Sequence, residues 1–323
     1  MHPAFSVIFL TTLIGTGQGL FLALFSSQSY TLVKLLPAQP GAYYALGGLI
    51  ALGFLVAGLI ASVFHLGHPE RAWRAATQWR TSWLSREVIA LPAVMALVFA
   101  YALVNWLGLD ADLYGWGLPG QIALTVGSLG VAATLALFLC TGMIYAAIRF
   151  LQEWATPMTV VNFFLLGSAS GFSFAAAYAA AQAPGMVEFY AGWAIVLTLI
   201  AFVTRSAALF RNARLKRVST LQTAIGVRHP QVRQQSMGFM GGSYNTREYF
   251  HGRTLAFLKS VKWLFLVLVF PVPVLLLWAG LALDSGTLLA TAFAVQYLGL
   301  LFERWFFFAQ ANHPQNLYYQ VVG

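Results

Sequence analysis

Residues 43–66 read YYALGGLIALGFLVAGLIASVFHL, a run without one Asp, Glu, Lys or Arg. About 20 such residues in a helix cross the roughly 30 Å hydrocarbon core of a bilayer. A helix that is apolar on every face over this length has lipid or protein on all sides, never water. Runs of the same kind recur at 3–25, 86–106, 120–148, 160–181, 190–210, 260–283 and 288–308, which makes eight. The whole chain agrees, because only 8% of its 323 residues are charged, against about 25% in soluble domains. The expected fold is an all-α integral membrane protein: one domain over 1–323, built as a bundle of eight transmembrane helices. Pro and Gly punctuate short connections, and two longer ones stand out, at 67–85 and at 211–259, the latter basic. Gly15 and Gly19 have the spacing of a helix-packing face.

Charge orients the bundle. With eight spans, both termini and the second, fourth and sixth connections share one face, which holds 17 of the 18 Lys and Arg, Lys34 alone lying opposite. Seventeen cations against five acids give that face +12, and Lys34 against four acids gives the other −3, together the net +9 of the chain. Short loops rich in Lys and Arg stay in the cytoplasm, so both termini are expected there, in a bacterial inner membrane. The basic composition is thus an orientation signal. It does not mark a nucleic-acid partner, since no soluble basic domain exists to present one. Residues 1–5 carry no Lys or Arg, and the apolar run behind them is too long for a signal-peptide core, so it reads as the first span.

Several chemistries are excluded early. Cys140 is the single cysteine, so the chain builds no disulfide, thiol redox pair or iron–sulfur cage. No metal site is predicted, and any cluster belongs to a partner. All six histidines, His2, His65, His68, His229, His251 and His313, fall on the expected cytoplasmic side, which leaves no bis-histidine haem inside the bilayer. A haem b at the rim, using His65 or His68 with His251 or His313, is the one arrangement left, and no haem is predicted. Helix centres lack Asp, Glu and Lys, so a carboxylate relay for proton pumping is not visible. Nor are the broken helices and internal symmetry of a transporter.

Three constellations remain. The first is His65-Leu-Gly-His-Pro-Glu-Arg-Ala-Trp-Arg74, continuing through Trp79 and Trp83 to Ser85-Arg-Glu87. His65 and His68 are three apart and would share a helix face, Ser85 would cap the third span, and Glu87 would sit in its first turn. Quinone chemistry moves two electrons and two protons, so it needs hydrogen-bonding and proton-exchanging groups beside an apolar pocket. His65 and Glu87 suit the first need, Arg71 and Arg86 supply positive charge, and Trp73 supplies a flat wall. The plainer reading stands beside it: Trp and Arg are ordinary interfacial anchors, and Glu in a first turn balances the helix dipole. The second constellation, Glu303-Arg304 in the last span, reads as an internal ion pair. The third is the 237–252 segment, where Tyr244, Asn245, Arg247, Tyr249 and His251 suit a loop that docks a protein, with a loop that binds lipid headgroups as the alternative.

Four motifs together, His2-Pro-Ala-Phe-Ser-Val-Ile-Phe-Leu-Thr-Thr12, His65-Leu-Gly-His-Pro-Glu-Arg-Ala72, Ser82-Trp-Leu-Ser-Arg-Glu87 and Gly242-Ser-Tyr-Asn-Thr-Arg-Glu-Tyr-Phe-His251, resemble the dimethyl sulfoxide reductase anchor-subunit family over essentially the whole chain. The resemblance implies an eight-span subunit that holds a molybdopterin catalytic subunit and an iron–sulfur subunit at the membrane. It also implies electron exchange with a quinone (ubiquinone or menaquinone), no haem, and a part in quinone binding for His65 and Glu87. The catalytic centre lies in the partner, so no catalytic residue is assigned here. The charge balance sides with the branch that looks like the membrane subunit of cytoplasmic sulfite:quinone oxidoreductase, which passes electrons from sulfite to quinone. Two alternatives are an anchor of a dimethyl sulfoxide or related reductase that oxidises quinol, and a structural anchor without a quinone site.

Overall fold

A computed structural model describes residues 1–111, 113–115, 120–233 and 248–318. Among these residues it contains no strand, and eight helices are long and apolar enough to cross a membrane. In chain order they are α1 (Phe5–Leu32), α2 (Gly41–Val63), α3 (Trp83–Leu107), α4 (Gln121–Ala146), α5 (Pro157–Gln182), α6 (Val187–Ala213), a seventh span made of α8 (Leu255–Val269) and α9 (Pro271–Ala282), and α10 (Gly286–Ala309). A short α7 (Leu221–Ile225) lies in the long connection, and a 3-10 segment, Pro69–Gln78, follows α2. The eight spans expected from hydropathy are all present.

Three boundaries differ from the hydropathy reading, each for a physical reason. α1 continues past residue 25 through Ser26, Ser27, Gln28 and Ser29, because the bundle satisfies these side chains. Ser27 Oγ donates to the Leu24 carbonyl at 2.8 Å and meets the Tyr190 hydroxyl at 2.6 Å, while Gln28 donates to Asn105 at 2.7 Å and accepts from the Tyr101 hydroxyl. α3 begins three residues early, capped by Ser82, whose Oγ accepts from the Ser85 N–H at 3.3 Å. Ser85 is therefore inside the helix and is not its cap, and the expected first turn around Glu87 becomes the second. The seventh span starts at Leu255, with Thr254 as its cap, and breaks at Phe270 (φ −111°, ψ −78°). There Pro271 has no N–H to give, and its ring obstructs the preceding turn.

α1 and α5 form the centre. Each has 72% of its most apolar window buried, against 28–39% for the other six spans, whose outer faces are left for lipid. The two central helices cross on Gly15, Gly19, Gly167 and Gly171, where a Cβ on Gly19 or Gly171 would land on the other helix's backbone. Close backbone approach through small residues is how membrane helices gain packing energy without a hydrophobic drive between them. The Thr16 and Ser170 hydroxyls meet at 3.0 Å in the same crossing. Eight crossings bring both termini to one end of the bundle, where the Met1 amino group donates to the Ala311 carbonyl at 2.7 Å. This is the end that collects the cations.

Candidate functional site

At that basic end α2 finishes at Val63, and His65 lies in the turn beyond it, exposed, its N–H reaching the Ser62 carbonyl at 3.3 Å. His65 and His68 consequently do not share a helix face. His68 turns to Glu70 at 3.0 Å, Glu70 also meets Arg71 at 3.6 Å, and all three are exposed. Partial desolvation pulls the His65 ring below the usual imidazole range, so at pH 7 it is neutral, one nitrogen a donor and the other an acceptor. Beside it an apolar groove of about 400 Å³ runs between α1 and α2, lined by Ser6, Phe9, Leu13, Ala57, Ile60 and Phe64.

Across the 67–85 connection, Trp73 is exposed with the Arg74 guanidinium 5.6 Å from its ring centre. Arg86 stacks on Trp83 at 4.2 Å and donates to the Trp79 and Arg80 carbonyls at 2.9 and 2.8 Å. It staples the loop to α3. Glu87, the next residue, is half-buried and accepts from the Thr141 hydroxyl of α4 at 2.5 Å. Ser82 capping carries this carboxyl a turn deeper than the sequence suggests. Among the described residues no hydrogen bond joins His65 to Glu87; they stand on neighbouring elements at the same end. Thr141 is inconspicuous in the sequence because a single Thr in an apolar run usually bonds its own helix.

The second constellation has a third member. Glu303 and Arg304 are both buried, with Arg304 Nε 3.4 Å from Glu303 Oε2, and Arg205 of α6 approaches the same carboxylate at 2.7 Å. Burying isolated charges costs several kcal/mol each even after relaxation, and the aromatic faces of Phe163 and Phe265 offset part of this, 3.8 Å from Arg304 and 5.6 Å from Arg205. Read from the sequence, Arg205 counts only as one of the cations at helix ends. Its signal is position: it sits eight residues before the end of α6, two turns inside a span, where a cation requires an acid.

Of the proposed docking residues, Tyr244, Asn245 and Arg247 lie outside the described residues. Tyr249 stacks on His313 with ring centres 4.3 Å apart, and His313 meets Phe150 edge-on at 5.3 Å. His251 Nδ1 accepts from the Arg253 N–H at 3.2 Å, and the His2 N–H donates to the Glu248 carbonyl at 2.8 Å. Burial, and next the nearby N-terminal amino group, lowers the pKa of both His251 and His313. Two cavities open here: about 310 Å³ beside Arg149 and Arg217, and about 920 Å³ beside Arg217, Tyr249 and Arg253. The end of the long loop is thus tied to the N-terminal and C-terminal segments, on a concave basic surface.

A sequence model of the family described as "DMSO reductase anchor subunit (DmsC)" matches residues 1–302. The chain belongs to the DmsC family. One DmsC-like relative, a sulfite dehydrogenase subunit of Allochromatium vinosum, is 59% identical over 325 residues, covering 100% of both chains. The chain is therefore a multi-pass membrane anchor of DmsC type, similar along its whole length to a subunit of an oxidoreductase.

Proposed function

We propose that this DmsC-family anchor passes electrons from an iron–sulfur partner to quinone, in a complex whose molybdopterin subunit oxidises sulfite. The observation that carries the reading is Glu87, an ionisable carboxyl held inside the second turn of a membrane span with one oxygen bonded by Thr141. An ionisable group at that depth is expensive unless it serves. Its surroundings fit a quinone head group: a neutral imidazole at His65, able to donate a hydrogen bond to a quinone oxygen, and an apolar groove open to lipid beside it. Full-length likeness to a sulfite dehydrogenase subunit supports sulfite as the electron source.

In this reading the basic end faces the cytoplasm of a bacterial inner membrane. The partners dock there, over Tyr249, His251 and the adjoining basic cavities. Reduction of the quinone ring takes two electrons from the partner's clusters and two protons. Glu87 gives and regains protons from cytoplasmic water, His65 orients a ring oxygen, and Arg71 and Arg86 contribute positive charge at the mouth. No haem in this chain is needed. The family's own description favours one other direction of flow, from quinol to a dimethyl sulfoxide-type reductase, through the same residues.

The test is reconstitution. The complex purified with this chain is expected to reduce a short-chain ubiquinone with sulfite, and the partners purified without it are expected to reduce only a soluble dye. Quinone reduction by the partners alone would remove the role. Because protons and electrons enter from one side, turnover in liposomes is expected to generate no membrane potential.

A further inference from the structure

Between the ion triad and Glu87 lies a void of about 20 Å³, lined by Thr11, Thr12, Gln18, Thr141, Ser170 and Arg304 among others. Its volume suits one water, which needs about 10–15 Å³ and two to four polar partners. The wall is polarised. Thr11 and Thr12 direct hydroxyl protons to the Val7 and Ile8 carbonyls at 2.9 Å, Ser170 directs its own to the Gly167 carbonyl at 2.9 Å, and Thr141 gives its proton to Glu87. With their protons engaged, these hydroxyls turn lone pairs to the void. Arg304 brings N–H donors and no acceptor. Behind the pair, Tyr145 lies near enough to feel the charges of both Glu87 and Arg304.

We propose that one water in this void accepts from Arg304 and donates to Thr141, which makes Arg304 and Thr141 positioning residues for the quinone-site carboxyl. The chain then runs Arg304 N–H to water, water to Thr141 Oγ1, Thr141 O–H to Glu87 Oε1, with every donor pointing the same way. Hydrogen bonds aligned in this manner reinforce one another, and one that ends on a carboxylate is of the stronger kind. It holds Oε1 as an acceptor on the α4 side and leaves Oε2 as the oxygen that exchanges a proton with quinone. The ion triad thereby gains a purpose beyond packing: Glu303 and Arg205 hold Arg304 in place. This inference rests on Glu87 being the proton-exchanging group.

The experiment is a double-mutant cycle in the assembled complex, with quinone kcat and KM normalised to dye-linked turnover, which counts assembled enzyme. Thr141→Val is expected to lower quinone kcat about tenfold or more, the worth of a hydrogen bond to a charged group, with KM nearly unchanged, and Thr141→Ser is expected to restore it. Arg304→Gln is expected to cost a similar factor, and the double variant no more than either single, since coupled residues are not additive. Wild-type kcat in Thr141→Val, or losses that multiply, would overturn the proposal. Wild-type kcat in Glu87→Gln would instead overturn the quinone reading beneath it. Should Arg304→Gln fail to assemble, a cryo-EM map of the wild-type complex decides the matter: a water peak within hydrogen-bond reach of Arg304 and Thr141 supports the proposal, and a dry void ends it.

Discussion

Glu87→Gln is expected to lower quinone-linked sulfite oxidation by about a hundredfold or more, the usual contribution of a positioned acid or base, while dye-linked turnover of the assembled complex stays at the wild-type level. The substitution keeps the size of the side chain and its acceptor oxygen for the Thr141 hydroxyl, so α3 and α4 should pack as before. What it removes is the ability to take and give a proton. Electrons can still reach the partner's clusters, and the dye can still collect them, but the quinone cannot complete its reduction without protons. His65→Ala is expected to act in the same direction and less strongly, because it removes an orienting hydrogen bond and leaves the proton-exchanging group. Steady-state assays with a quinone analogue and with dye on the same preparation separate the two cases. Undiminished quinone turnover in Glu87→Gln would end the assignment.

The second large effect is on assembly. Glu303→Ala leaves Arg205 and Arg304, both buried, facing each other with no counter-charge, and removing one partner from a buried ion pair costs roughly 3–5 kcal/mol. That is a large share of the roughly 5–15 kcal/mol that holds a typical protein folded. The expected result is little or no folded protein in the membrane fraction and a large fall in unfolding temperature in detergent. Arg205→Gln should be milder, because Glu303 and Arg304 remain as a neutral pair 3.4 Å apart. If Glu303→Ala accumulates and unfolds like the wild type, the triad is not a structural necessity.

These residues show what can be read from the sequence and what needs the fold. Eight spans are legible because lipid imposes a simple rule, some 20 apolar residues per crossing, and the chain obeys it without loops of comparable hydropathy. Gln28 and Ser27 break the rule at the end of α1, since their partners, Asn105, Tyr101 and Tyr190, come from α3 and α6 and cannot be inferred locally. The depth of Glu87 depends on which serine caps α3; Ser82 and Ser85 are equally good caps by type, and only the geometry of the turn selects Ser82. Glu303 is recognisable as a charge in need of a partner, and Arg304 beside it is the obvious one. The shorter contact goes instead to Arg205, 98 residues earlier on another helix, because consecutive residues on a helix point about 100° apart and a facing helix can aim better.

The claim on which the account depends is that quinone reacts at the basic end, between α2 and α3. A photoreactive short-chain quinone bound to the assembled complex, followed by peptide mapping after illumination, tests it most directly. The expected result is labelling of peptides covering 57–68 and 83–90, reduced by an excess of unlabelled quinone. Labelling confined to the opposite end, around 33–43 or 183–190, would contradict it.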